Sequence, residues 1–121
     1  MMVELAAALL FLLGLAHSVL GERYLLTRLF RRDNLPKLLG STAFTVGTLR
    51  FVWHLTTLAW YGLATLLLLA ARDEIDVGST LRVIAAVALV SALLPAFFTR
   101  GRHLSWVVFL AVAGLLFAAL P

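Results

Sequence analysis

Three histidines, one glutamate and one arginine are the residues of this sequence with the widest scope for chemistry: His17, Glu22, Arg50, His54 and His103. Neutral imidazoles with a carboxylate are typical ligands of Zn²⁺, Fe²⁺ or Mn²⁺, and three such ligands with an open position form catalytic metal sites. Two histidines on adjacent helices are also typical axial ligands of haem. Histidines within a membrane often mark a proton or ion path. An arginine beside them would favour neutral imidazoles or attract an anion such as a phosphate headgroup.

The stretches that carry these residues are almost entirely apolar. Of the 121 residues, 63% are hydrophobic and only 13% are charged, whereas a soluble domain is about half apolar and a quarter charged. A helix needs roughly 20 mostly apolar residues to cross about 30 Å of hydrocarbon. We therefore predict an all-α, polytopic membrane protein, a single integral membrane domain over residues 1–121, with spans at about residues 3–20, 50–71, 81–98 and 103–120. The chain has no cysteine, which excludes disulfides and thiolate ligands.

The connections between the spans predict the topology. After the first span, arginines alternate with large apolar residues, which is typical of an amphipathic segment lying in the headgroup region; Asp33–Pro36 should end that segment. Lys and Arg are concentrated in the first and third connections, so these should be cytoplasmic, with both termini on the other side. The expected architecture is a four-helix antiparallel transmembrane bundle. Its basic residues should contact membrane lipids, in particular anionic headgroups at the cytoplasmic face, and not nucleic acid.

Helical spacing predicts which faces of the first two spans meet. In the second span, polar and small residues follow one another at steps of three or four, which places them on one face: Gly47, Arg50, His54, Thr57 and Tyr61. In the first span, Gly14, His17 and Gly21 share a face in the same way, and small residues there let a neighbouring helix approach. We expect these two faces to pack together. Glu22 lies about 140° around the helix from His17, so it should join them only if the helix loosens at Gly21.

Three strings of the chain carry a resemblance to a protein family: GLAHSVLGERYLLTRL, LRFVWHLTTLAWYGL and RGRHLSW. Together they resemble a group of small four-helix bacterial inner-membrane proteins. The resemblance implies this architecture and a bacterial inner (plasma) membrane, and it implies no activity or catalytic residue.

The predicted functional feature is a cytoplasm-side polar pocket. In the leading hypothesis, His17, His54 and Arg50 bind a cofactor there, either haem or a divalent transition metal whose ligands come from His17, His54, His103 and Glu22, with redox or hydrolytic chemistry. The alternative is a non-enzymatic membrane module: a small-solute or proton transporter working as a homo-oligomer, a lipid-binding protein or an assembly protein. In that alternative the histidines are packing or interfacial residues. The sequence leaves open whether the protein is an enzyme.

Overall fold

A computed structural model describes all residues, 1–121, and is entirely helical. Its four helices are α1 (Met2–Leu29), α2 (Ala43–Ala71), α3 (Val77–Phe98) and α4 (Ser105–Ala118). Helices α1, α2 and α3 are long and apolar enough to cross a membrane. Helix α4 has 14 residues, which is about 21 Å at 1.5 Å per residue. It is therefore shorter than the predicted fourth span at residues 103–120.

Helix α1 changes its winding at the position where the sequence indicates a loosening. Over Gly21–Leu26 the helix is a π-helix, and the backbone N–H of Thr27 bonds the carbonyl of Glu22, five residues earlier. Such widened turns are rare and often lie at functional sites.

The first connection is fastened to the start of α2. Helix α1 ends at Leu29, before the predicted break at Asp33–Pro36. The Ser41 hydroxyl accepts from the backbone N–H of Ala43 at 3.3 Å, and Thr45 donates from its hydroxyl to the Pro36 carbonyl at 2.8 Å. The position of residues 30–42 is thus tied to the first turn of α2.

Helix α3 begins at a side-chain cap. Asp76 is the N-cap: its carboxylate accepts from the Ser79 backbone N–H at 2.6 Å, and the Ser79 hydroxyl accepts from the Asp76 backbone N–H at 2.8 Å. This reciprocal capping box starts the helix at Val77. The hydrogen bond from the Ser79 backbone lowers the pKa of Asp76, because it stabilises the ionised carboxylate.

Helices α1 and α2 pack closely, as the sequence predicts. Their contacts run from Phe11, whose ring centroid lies 5.2 Å from that of Tyr61, to Glu22 beside Arg50. Added side-chain atoms at Gly14 would meet Tyr61 and Thr57. Only 18 of 121 residues are buried, so most apolar side chains point outward, as suits a helical protein surrounded by lipid.

Candidate functional site

Glu22 lies at the centre of a cluster of polar side chains between α1 and α2. Its Oε1 accepts from Arg50 Nη2 at 2.7 Å, and its Oε2 accepts from Arg50 Nε at 3.2 Å. Two parallel hydrogen bonds to one carboxylate fix its position and orientation. The side chains of Arg50 and Glu22 are 28% and 35% exposed. Because they are partly exposed, the attraction between their charges is weaker than that of a fully buried pair.

His54 connects this ion pair to Ser18. Its Nε2 lies 3.1 Å from Glu22 Oε2, and its Nδ1 lies 2.9 Å from Ser18 Oγ. An ionised carboxylate can only accept hydrogen bonds, so Nε2 must carry the hydrogen. In neutral His54 the other nitrogen, Nδ1, is then an acceptor, and the Ser18 hydroxyl donates to it. Glu22 thereby selects the tautomer in which His54 faces Ser18 as a base.

The hydrogen-bonded chain continues beyond Ser18 into the apolar part of the protein. Ser18 Oγ lies 2.7 Å from Thr57 Oγ1, and Thr57 also contacts the Gly14 carbonyl at 3.2 Å. Thr57 is buried and His54 is 19% exposed. We call these five side chains the polar chain: Arg50, Glu22, His54, Ser18 and Thr57. It leads from a partly exposed ion pair to a buried hydroxyl.

Regular spacing on each helix places the members of the polar chain. On α1, Gly14, Ser18 and Glu22 follow at steps of four, so they lie on one face. On α2, Arg50 and His54 are separated by the same step, and Thr57 follows three residues later. Glu22 therefore lies on the Ser18 face through the regular step of four, although it stands within the π-helical stretch Gly21–Leu26. It contacts Arg50 and His54 rather than His17.

His17 does not join the polar chain. Its imidazole stacks on the Trp53 indole, with ring centroids 4.3 Å apart and an interplanar angle of 5°. His17 Nε2 contacts the Trp53 carbonyl at 3.2 Å, and the Trp53 indole N–H donates to the His17 carbonyl at 3.0 Å. Trp53 also covers Gly21. His17 and Trp53 thus form a packing unit between α1 and α2, rather than lining a shared pocket with His54 and Arg50.

His103 belongs to the start of α4. Its Nδ1 lies 2.8 Å from Ser105 Oγ and accepts from the Ser105 backbone N–H at 3.4 Å. Its ring lies against Phe44 and Phe51, with centroids 5.8 Å and 4.9 Å away. These contacts give the backbone N–H of Ser105, the first residue of α4, an acceptor and hold the turn before the helix.

The geometry does not support the predicted metal centre. Of the four expected ligands, His17, Glu22, His54 and His103, only Glu22 and His54 are in contact. A structural or catalytic zinc site needs at least three protein ligands. No three His, Cys, Asp or Glu side chains of this protein are close enough together to hold a metal ion.

Nor do the glycines of α1 make room for haem between His17 and His54. Gly14 accommodates Tyr61 and Thr57, and Gly21 accommodates Trp53. The close approach of α1 and α2 is therefore taken up by side chains of α2. Tyr61, expected on the polar face, contributes its ring to this packing rather than a hydrogen bond to the polar chain.

Ser18 is the member of the polar chain that the sequence analysis missed. The neighbouring residue His17 was predicted instead, because an imidazole can bind a metal or carry a proton near neutral pH. A signal was present: Gly14, Ser18 and Glu22 recur at a regular step of four on α1. Only the rotation of α1 against α2 selects the Ser18 face over the His17 face.

Comparison with known proteins adds no assignment to this geometry. No family model matches the chain, and neither a curated protein nor a solved structure matches it. The resemblance to small four-helix bacterial inner-membrane proteins therefore stays a prediction.

Proposed function

We propose that this protein is a multi-pass protein of a bacterial inner membrane that carries a base-activated serine. In this proposal its helices form an antiparallel bundle, the first and third connections face the cytoplasm, and both termini face outward. The contacts along α1 and α2 support the antiparallel arrangement, because residues late in α1 meet residues early in α2. The concentration of Lys and Arg supports the orientation. The polar chain then lies near the cytoplasmic boundary.

The observation that carries the function is the order of hydrogen bonds around His54. A nucleophilic hydroxyl next to a base, with the base oriented by a third group, is the arrangement that activates serine in covalent catalysis. Ser18 is the hydroxyl, His54 Nδ1 is the base, and Glu22 orients His54 while Arg50 fixes Glu22. The ring nitrogens are used in the opposite order to the familiar serine triad, but the three roles are the same.

The reaction class that fits is hydrolysis of an ester carried by an amphiphile at the membrane boundary. Ser18 Oγ attacks the carbonyl carbon, and its proton passes to His54 Nδ1. The ester C–O bond breaks, and the departing alcohol takes that proton from His54 as it leaves. A water molecule, deprotonated in the same way by His54, then releases the acid and restores the Ser18 hydroxyl.

A fluorophosphonate probe tests this proposal, because it reacts with a base-activated serine and loses fluoride. The purified protein in detergent would be treated with the probe, and the modified residue would be identified by mass spectrometry. We expect modification at Ser18, its absence in Ser18→Ala, and a rate about 10²–10⁴-fold lower in His54→Gln, the usual worth of a general base. Ser91→Ala removes a buried serine of α3 and should label like the natural protein.

Two results would overturn the proposal. The first is an unmodified Ser18 in protein that remains monodisperse and helical. The second is a His54→Gln protein that reacts at the natural rate, since the base would then play no part. Thermal unfolding of each variant in detergent shows that a loss of labelling is not a loss of fold.

A second candidate, a proton relay, is favoured by the continuity of the polar chain. When His54 carries a second proton, its Nδ1–H donates to Ser18, Ser18 donates to Thr57, and Thr57 donates to the Gly14 carbonyl. Every hydroxyl then donates once along one direction, and transfer requires a water molecule beyond Thr57 to take the proton, because the Gly14 carbonyl only accepts a hydrogen bond. Proteoliposomes should show proton flux that falls in His54→Gln and Thr57→Val; flux unchanged in both variants would exclude the relay.

A further inference from the structure

A second feature of the protein is a cavity of about 260 Å³ beside the polar chain, between the start of α2 and the turn that joins α3 to α4. Three arginines line it, Arg50, Arg100 and Arg102, and no acidic residue does. The first turn of α2 forms one wall, so the positive end of that helix dipole adds to the arginine charge.

The charges of these arginines are not neutralised equally. Arg50 uses Nε and Nη2 for Glu22, which leaves its Nη1 without that partner. Neither Arg100 nor Arg102 takes part in any of the three salt bridges of the protein. The cavity therefore combines several guanidinium donors with an uncompensated positive charge.

The turn that presents two of these arginines has an unusual backbone. Arg100 has a φ of 53° and Gly101 has a φ of 76°; a left-handed conformation is uncommon for a residue other than glycine. The turn is closed by the Gly101 backbone N–H, which donates to the Ala96 carbonyl at 2.8 Å. Trp106 holds it from the other side, donating from its indole N–H to the Gly101 carbonyl at 3.0 Å. Arg100 and Arg102 are thus placed at the cavity by a fixed turn.

We propose that this cavity binds a phosphate group at the end of the helix bundle. Arginine matches phosphate through paired, charge-assisted hydrogen bonds. The cavity is slightly below the roughly 300–1,000 Å³ that hold drug-sized ligands, which suits a headgroup-sized phosphate rather than a whole nucleotide. It lies where α2 begins and α3 ends, the level at which lipid phosphates lie if these helices span the bilayer. The phosphate belongs either to an anionic lipid or to a small soluble molecule.

The inference does not depend on the reactivity of Ser18, because Arg100 and Arg102 lie outside the polar chain and Arg50 is the one residue common to both sites. Arg50 is left unchanged in the test so that the polar chain stays intact. The test variant is Arg100→Gln/Arg102→Gln. The matched control is Arg28→Gln/Arg31→Gln, which removes the same charge from two exposed arginines near the end of α1.

Binding would be measured on the detergent-solubilised protein by native mass spectrometry and by Trp fluorescence, to which Trp106 of α4 contributes through its hydrogen bond to Gly101 in the cavity turn. Three probes separate the sources of phosphate: short-chain phosphatidylglycerol, phosphatidylcholine with the same chains, and inorganic phosphate at matched ionic strength. We expect saturable binding of phosphatidylglycerol that weakens about 10-fold or more in Arg100→Gln/Arg102→Gln, and less than about 2-fold in the control, given what each arginine adds near anionic lipid.

Competition with inorganic phosphate distinguishes the two sources of the phosphate group. Binding of phosphatidylglycerol that inorganic phosphate displaces would establish a site for phosphate itself, whereas binding that phosphate does not displace would establish a site for the lipid headgroup. Equal weakening in the test and control variants would overturn the proposal, because the attraction would then be diffuse. So would equal affinity for phosphatidylcholine and phosphatidylglycerol, or an absence of saturable binding by all three probes.

Discussion

Replacing Gly14 by alanine perturbs the site without replacing any polar side chain. A methyl group at Gly14 would lie 2.6 Å from Tyr61 Cε1 and 3.2 Å from Thr57 Cγ2. To reach ordinary contact near 3.4 Å, Tyr61 and α1 must separate by about 0.8 Å. Forcing such an extra group into a packed interface typically costs about 1–3 kcal/mol.

The same displacement would lengthen the hydrogen bonds of the polar chain. If the helices move apart together, the 2.9 Å contact between Ser18 Oγ and His54 Nδ1 becomes about 3.7 Å, which is too long for a hydrogen bond. The contact of Thr57 with the Gly14 carbonyl, now 3.2 Å, becomes about 4.0 Å. We therefore expect Gly14→Ala to lower both thermal stability and the rate of fluorophosphonate labelling at Ser18.

Gly114→Ala is the matched control, because no atom lies within 4 Å of a Cβ built at Gly114 in α4. It should keep the natural labelling rate, with a stability equal to or above that of the natural protein, since alanine favours helix more than glycine does. The assay compares unfolding midpoints in detergent and labelling rates for the two variants. Natural labelling in Gly14→Ala would refute the reasoning that the approach of α1 to α2 holds Ser18 on His54.

Three further predictions concern the charged and capping residues. Glu22→Gln should lower the free energy of unfolding by about 1–3 kcal/mol, between the values for an exposed and a buried ion pair, and should slow Ser18 labelling by no more than His54→Gln does. Adding Arg50→Gln should recover part of the stability, which a double-mutant cycle in detergent measures. His103→Ala should lower the free energy of unfolding by about 0.5–1.5 kcal/mol through the lost hydrogen bonds to Ser105 while leaving Ser18 labelling unchanged, and reduced labelling would contradict its separate role. The hydrogen bond from Ser79 lowers the pKa of Asp76 in the folded protein. The ionised Asp76 therefore stabilises the fold above the ordinary carboxyl pKa, and this stabilisation is lost as the pH falls through the lowered pKa of the folded protein. Asp76→Asn should not show this acid-dependent loss in thermal unfolding.

The helices and the polar face of α2 could be predicted from the sequence because both depend on local pattern. Apolar length indicates the spanning helices, and steps of three and four place Arg50, His54 and Thr57 together. Glu22 was predicted to reach this face only if α1 loosened at Gly21, whereas it lies there at a regular step of four from Ser18.

What could not be predicted is which residue of α1 lies opposite His54. His17 and Ser18 are neighbours about 100° apart on the helix, and either could face α2. The choice depends on how Tyr61 fits against Gly14 and how Trp53 fits against Gly21, which are contacts between distant parts of the chain. For the same reason the sequence left open whether the three histidines converge; in the structure, aromatic rings on other elements hold His17 and His103.

The most direct test of the central claim is the protonation pattern of the His54 imidazole, read from nitrogen NMR of isotope-labelled protein in detergent. The signals would be assigned by their absence in His54→Gln and recorded at mildly alkaline pH. A base-activated Ser18 requires a hydrogen on Nε2 and an unprotonated, hydrogen-bonded Nδ1. A hydrogen on Nδ1 with a bare Nε2 would contradict the claim, because His54 could then neither donate to Glu22 nor accept the proton of Ser18.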